Sequence, residues 1–151
     1  MAQLAYRATT QERVVSNDLS SSGFQNWIIE GGVALQISVP PQSCIWEVEL
    51  FVPIVQSLTD NSILFLQLWD ATQSAPLGPP TQLGLVATQS FPNSARQLKQ
   101  TRGPLVYTRR FPGFSGATRT IMVRHSRTGG NWKLLLADAA PNCAYLRADA
   151  V

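Results

Sequence analysis

The feature that most constrains the fold is a two-residue alternation of apolar and polar side chains, repeated along most of the chain. In one segment Trp46, Val48 and Leu50 alternate with Glu47 and Glu49. Successive side chains of a β-strand point to opposite faces, so this pattern predicts a strand with one buried and one wet face. Because the same period recurs nearly throughout, the sequence predicts an all-β fold.

Strand patterns recur at intervals of about ten residues, as is typical of sandwiches and barrels. The ten Pro and ten Gly lie mostly between the patterned segments. We predict an antiparallel, jelly-roll-like β-sandwich of about eight strands, with a possible ninth strand at 13–15. The stretch 93–101 fits a short helix or a loop equally well. The predicted strands cover 33–39, 46–52, 62–70, 83–88, 105–109, 117–125, 132–136 and 144–151.

Two turn signals and one core follow from the same patterns. Pro53 is expected to end the strand that begins at Trp46, because proline lacks the backbone N–H. Gly129-Gly130-Asn131 predicts a hairpin between the strands that carry His125 and Trp132. The predicted core consists of Val33, Leu35, Ile37, Trp46, Val48, Leu50, Phe65, Trp69, Ile121, Val123, Trp132 and Leu134.

The length of 151 residues suits a single domain. We expect a polar N-terminal arm, or an edge strand and loop, over 1–30 and the sandwich over 31–151. An apolar fraction of 44% argues against disorder. No apolar run is long enough for a membrane span, and the first residues show no signal peptide.

Charge is distributed unevenly along the chain. The stretch from Ala71 to Ala137 has no Asp or Glu, yet it holds nine of the twelve Lys and Arg residues. It can form a basic face for an acidic partner, or folding can interleave it with the acidic segments. Ten of the twelve bases are Arg, and this preference favours protein interfaces over nucleic acid.

Few residues suggest chemistry. Cys44, Cys143 and the single His125 do not make a recognisable metal-ligand set, so two reduced, buried thiols are expected. We predict no metal site, no cofactor and no catalytic residues. Glu47 and Glu49 are expected to be solvated strand residues, although a glycosidase pair has a similar spacing. His125 is expected to be a solvated or hydrogen-bonded strand residue. Because it is the single histidine of the chain, a Ser-His-Asp triad would have to use it.

Aromatic residues give two further hypotheses. The four Trp residues lie at apolar strand positions, which favours the core, whereas an exposed Trp would offer a stacking platform for a sugar. Loop phenylalanines beside arginines suit an interface anchor, unless the loop folds back over its own sandwich. The predicted partner-binding residues are Arg96, Lys99, Arg102, Arg109, Arg110, Phe111 and Phe114.

Three features resemble the small jelly-roll virion proteins of tailed bacteriophages, namely capsid decoration (cement) proteins and the head domains of fibres. They are the polar segment Met1 to Trp27, the apolar strand that runs into an aspartate in 62–72, and the closing strand 144–151. The resemblance implies a non-enzymatic protein on the capsid surface, made in the host cytoplasm, that stabilises the assembled capsid. It also implies a homotrimer that binds the major capsid protein or another virion protein. From the residues themselves we expect no membrane partner, and the preference for Arg over Lys disfavours a nucleic-acid partner. The alternative is a glycan- or receptor-binding sandwich module, such as a tail-fibre tip or a carbohydrate-binding domain.

Overall fold

The computed structural model describes residues 2–59, 61–77, 85–89, 102–134 and 143–151. For 85–89 and Arg102 it describes the backbone only. The stretch 93–101, for which a helix or a loop was expected, lies outside these ranges. The described part contains twelve strands, one 3-10 turn at Glu30–Gly32 and no α-helix. None of its elements is a helix of the length and apolarity that a membrane crossing requires.

The strands follow the chain in order, and the ladders between them are antiparallel. They are β1 (Ala2–Thr9), β2 (Arg13–Val15), β3 (Gln25–Asn26), β4 (Gln36–Val39), β5 (Trp46–Ser57), β6 (Ile63–Asp70), β7 (Ala75–Pro76), β8 (Leu85–Gln89), β9 (Arg102–Phe111), β10 (Arg119–Thr128), β11 (Trp132–Leu134) and β12 (Ala144–Ala150). The strand predicted at 13–15 is confirmed as β2.

The strands form two six-stranded sheets. In the first sheet, β5 pairs with β12 and β11 along one edge and with β9 along the other, and β1 and β2 continue outward from β12 and β11. In the second sheet, β10 pairs with β6, β3 and β4, and β6 also pairs with β7 and β8. The eight principal strands have the orders β1-β12-β5-β9 and β4-β10-β6-β8, which is the arrangement of a jelly roll. The predicted all-β sandwich is confirmed.

The core lies between the sheets and contains most of the predicted residues. Trp27, Trp46 and Trp132 are all 0% exposed. Three predictions are wrong: Val33 is 44% exposed, and Phe65 and Trp69 are only half-buried. The alternation of β6 has the opposite phase to the one expected, because its leucines face inward. Val33 directly follows the 3-10 turn, which interrupts the strand pattern before β4. The buried residues of β6 are Leu64, Leu66, Leu68 and Asp70.

Two turn predictions are also wrong. β5 does not end at Pro53 but continues to Ser57, and its register against β9 shifts between Val52 and Val55. Such an irregularity lets a strand accommodate a residue that cannot donate to the ladder. The turn 129–131 connects β10 in the second sheet to β11 in the first, so these strands do not form a hairpin. Gly129 has a φ of +81°, which suits a tight turn. This conformation does not determine which strand the next segment pairs with.

The basic stretch and the acidic segments interleave in the fold. Arg110 pairs with Glu47, Arg119 with Asp70, Arg127 with Asp18 and Lys133 with Glu12, with N–O distances of 3.0, 3.8, 3.0 and 3.5 Å. Each of these acids lies outside the acid-free stretch. The interleaving interpretation therefore accounts for much of the charge asymmetry. Cys44 and Cys143 are both free thiols, but neither is buried as expected, since Cys44 is exposed and Cys143 is half-buried.

Candidate functional site

A cleft of about 530 Å³ opens at one end of the sandwich, where β6 and β9 end and β10 begins. One wall is the turn after β6, from Asp70 to Leu77, together with Arg119 at the start of β10, and the other is the segment 109–114. The two walls belong to different sheets, so the fold itself brings them together. A cleft of this volume with a few convergent polar groups has the properties of a ligand-binding site.

The wall at 111–114 is fixed to the core by Trp46. The Trp46 ring packs against Phe111 and Phe114, with centroid distances of 5.1 and 5.5 Å. Its indole Nε1–H donates to the carbonyl oxygen of Pro112 at 2.9 Å. Since Trp46 is completely buried, this contact makes the cleft wall an extension of the core.

The same wall is also tied to the connection between β4 and β5. The Gln42 N–H donates to the Phe114 carbonyl oxygen at 3.1 Å, and the Phe114 N–H donates to the Gln42 carbonyl oxygen at 2.8 Å. Gly113 lies so close to this connection that a Cβ there would be 2.4 Å from the Gln42 carbonyl oxygen. The close approach of the two backbones therefore requires glycine at this position.

Replacing Gly113 with Ala is expected to lower the free energy of unfolding by about 1–3 kcal/mol, the usual cost of overpacking. The matched control is Gly103→Ala, because a Cβ at Gly103 meets nothing within 4 Å and should change stability little. Urea denaturation, monitored by circular dichroism, measures the free energy of unfolding of both variants. Equal losses in the two variants would contradict the close-contact explanation.

Asp70 supplies a buried carboxylate to the opposite wall. The side chain is 2% exposed, and Oδ1 accepts hydrogen bonds from the N–H groups of Thr72 and Gln73 at 3.0 and 3.1 Å. Oδ2 is buried without a hydrogen-bond partner. The nearest cation is Arg119, whose Nε lies 3.8 Å away, beyond hydrogen-bonding distance. The cleft thus contains an acceptor with unused capacity.

The three arginines that line the cleft differ in their partners. Arg119 lies over the Phe114 ring, 4.3 Å from its centroid, and close to Asp70. Arg110 points to the outer face of the sheet, where its Nε donates to Glu47 at 3.0 Å. Arg109 is half-buried, 5.9 Å from the Phe111 ring centroid. Within the described ranges, Arg109 has no ion-pair partner.

Four of the seven predicted partner-binding residues line this cleft: Arg109, Arg110, Phe111 and Phe114. Phe111 is only 7% exposed. Its ring therefore packs within the cleft wall and leaves little area for a partner to contact. Arg102 begins β9, at the opposite end of that strand from Phe111 and roughly 30 Å away along it. Arg96 and Lys99 lie outside the described residues.

The sequence analysis missed two charged residues of the cleft, Asp70 and Arg119. No local pattern in the sequence predicted that Arg119, at the start of β10, lies beside the end of β6. The register of the second sheet places them together, since Ile121 is the partner of Asp70 in the ladder.

The residues considered for catalysis lie elsewhere and are fully engaged. His125 is 1% exposed; its Nδ1 is 2.8 Å from Asn17 Oδ1, and its Nε2 accepts from Arg13 Nε at 3.1 Å. Burial, with a smaller effect from Arg13, lowers the pKa of His125 to about 4, so the ring is neutral at pH 7. His125 is thus the hydrogen-bonded strand residue that was expected.

The two glutamates are paired as well. Glu47 binds Arg110, and Glu49 accepts from the Tyr145 hydroxyl at 2.6 Å and from Arg147 at 2.7 Å. Burial, together with the Glu49 carboxylate, raises the pKa of Tyr145 to about 12. Both glutamates sit in ion pairs on the outer sheet face, whereas they were expected to be solvated. Within the described ranges, no cluster of His, Cys, Asp and Glu has a composition suited to a metal ion.

The sequence matches no family model and no curated protein. Among solved structures it is similar to the C-terminal CBM6 of LamC, a marine laminarinase from Zobellia galactanivorans. The sequence identity is 14% and the TM-score is 0.27, over 91% of this chain and 99% of that one.

Proposed function

We propose that this chain is a non-enzymatic virion protein that attaches to an assembled bacteriophage capsid, and that the end cleft is its contact surface. The observation that carries the proposal is the half-buried side chain of Arg109, which lines the cleft with Phe111 and Phe114 and has no ion-pair partner among the described residues. Arginine and aromatic residues are the types most enriched where protein interfaces gain their binding energy.

The rigidity of the cleft wall supports the same proposal. Trp46 and Gln42 hold the 111–114 segment in place before any partner arrives. A pre-organised surface loses less conformational entropy on binding and so retains more of its interaction energy as affinity. A protein that binds the assembled shell, and not its free subunits, stabilises the shell by mass action. We propose that it does so as the homotrimer that the resemblance implies.

The arrangement of the tryptophans favours a protein partner over the glycan-binding alternative. Trp27, Trp46 and Trp132 are completely buried. Trp69 is half-buried on the outer face of the second sheet, where the Arg124 guanidinium lies 4.5 Å from its ring centroid. The only Trp ring that is not completely buried therefore already has a guanidinium over one face, and a direct titration can test whether a saccharide binds in the cleft instead.

Reversing the charge of Arg109 is expected to weaken capsid binding at least tenfold, because loss of a charge-assisted hydrogen bond costs roughly 1.5–3 kcal/mol. The assay is co-sedimentation of the purified protein with empty capsids of the virus whose genome encodes it. Arg7→Glu is the matched control: Arg7 is exposed on β1, separated from β9 by β12 and β5. Equal saturation of capsids by Arg109→Glu and the unmutated protein would refute the assignment of the cleft.

A further inference from the structure

We infer that the cleft binds an aspartate or glutamate side chain of the partner protein, with the carboxylate seated on Arg109 and a neighbouring backbone N–H donating to Asp70 Oδ2. This inference rests on the proposed function insofar as the partner is a protein. It specifies the chemistry of the contact, namely an acidic residue on an exposed segment of the partner.

The charge of Arg109 is what selects a carboxylate. Four other bases of the acid-free stretch, Arg110, Arg119, Arg127 and Lys133, have acids of this chain beside them. Arg124 lacks an acid but donates to the Phe24 carbonyl oxygen at 3.0 Å. Within the described ranges Arg109 has neither kind of partner, although it is half-buried. A planar guanidinium in such a setting is suited to bidentate binding of a carboxylate.

Asp70 imposes a second requirement on the ligand. Its Oδ2 is a buried acceptor without a donor, and an unsatisfied buried carboxylate oxygen is unfavourable. A ligand that brings an N–H to this oxygen removes the penalty. Arg119 offsets the negative charge of Asp70, so the unpaired positive charge of Arg109 is what attracts a carboxylate in the cleft. The cleft therefore favours a ligand with a carboxylate at one side and a donor at the other.

A peptide segment with an acidic residue meets both requirements with one residue and its neighbour. Its backbone amide supplies the N–H, and the methylene groups of the side chain can lie against the apolar part of the cleft, which includes Pro76, Leu77 and Phe114. The net charge at the cleft, with the adjacent Glu47 included, is also complementary to one carboxylate. Arg110 is neutralised by Glu47 and Arg119 by Asp70, which leaves the single positive charge of Arg109.

The test is a titration of the full chain, labelled with nitrogen-15, with short probes at millimolar concentrations. The acidic probe is N-acetyl-Ala-Glu-Ala-amide, and its matched neutral control is N-acetyl-Ala-Gln-Ala-amide. The Trp46 indole N–H signal reports on the cleft, since this group donates to Pro112 in the cleft wall. The indole signals of Trp27 and Trp132, which do not line the cleft, serve as internal references.

We expect the glutamate probe to shift the Trp46 signal saturably and the glutamine probe to bind at least tenfold more weakly, because it lacks the charge. Arg109→Gln should remove this difference between the probes, whereas Arg7→Gln should preserve it. Equal binding of both probes, or no saturable shift with either, overturns the inference. Methyl glucuronide is titrated as a saccharide probe that also carries a carboxylate. If it shifts the Trp46 signal saturably and the glutamate peptide does not, the assignment of a protein ligand is overturned.

Capsid binding separates this inference from the proposed function. If the glutamate probe binds through Arg109 but the protein does not bind capsids, the carboxylate site stands and the virion role is wrong. If capsids bind Arg109→Gln as tightly as the unmutated chain, the virion role stands and the carboxylate site is wrong.

Discussion

The Trp46→Ala variant is expected to unfold with a free energy about 3–5 kcal/mol below that of the unmutated protein, the usual cost of removing a large buried aromatic ring. Trp46 is completely buried, and it packs against Phe111 and Phe114 while its indole N–H binds Pro112. The substitution therefore leaves a cavity and detaches the cleft wall from the core.

Urea denaturation at pH 7 measures this loss, and Trp69→Ala is the matched control. Trp69 is half-buried on an outer sheet face beside Arg124, so its removal should cost only about 1–2 kcal/mol. Equal losses at the two positions would contradict the burial that the structure assigns to each. Should Trp46→Ala not fold, Trp46→Phe retains a ring but lacks the N–H donor, and a loss of about 1–3 kcal/mol is then expected.

Acidification from pH 7 to pH 4 is expected to destabilise the protein by about 3 kcal/mol through His125 alone. Burial, and less strongly Arg13, lower the pKa of His125 from 6.5 in its ordinary state to about 4 in the folded chain. Between these values the unfolded chain binds more protons than the folded one, so stability rises with pH and is lost as pH falls. Each pKa unit corresponds to about 1.4 kcal/mol, and at 1% exposure the side chain is little screened by solvent.

The measurement is a series of urea denaturation curves between pH 7.5 and pH 4, compared with those of His125→Gln. Carboxylates also titrate near pH 4, so the difference between the two proteins isolates the contribution of His125. The variant should be less stable at pH 7, because it alters the hydrogen bonds to Asn17 and Arg13, but its stability should fall less steeply with pH. The same pH dependence in both proteins would be incompatible with a neutral, buried His125.

Much of the fold follows from local alternation, because one face of each strand must meet the core. The pattern around Val48 and around Val123 predicted both the strands and their buried faces. It gave the wrong face for β6, where Phe65 and Trp69 are as apolar as their neighbours Leu64 and Leu66. When both faces of a strand carry apolar residues, the phase depends on what covers each face, and the sequence does not contain that information locally.

Errors at turns have a similar origin. Pro53 lies inside a twelve-residue strand because the register shift against β9 accommodates it. Gly129 allows a tight turn, but the partner of the next strand is chosen by long-range packing of Trp132 and Leu134 into the core. The candidate site shows the same division: Arg109 and Phe114 were predicted from neighbouring residues, whereas Asp70 and Arg119 meet only through the register of the second sheet.

The pairing of β1 with β12 has a consequence for the order of events during synthesis. Ala2 is the ladder partner of Ala150, and Thr9 is the partner of Ala144. Ribosomes add about 5–20 residues per second. Several seconds therefore pass between the synthesis of β1 and that of β12, its neighbour in the sheet. During that interval the inner edge of β1 is unpaired and the Trp46 side of the core lacks Leu146 and Ala148. The first sheet is therefore completed only after translation has reached β12, and folding is expected to be slow for a domain of this size because its defining contacts are so distant in sequence.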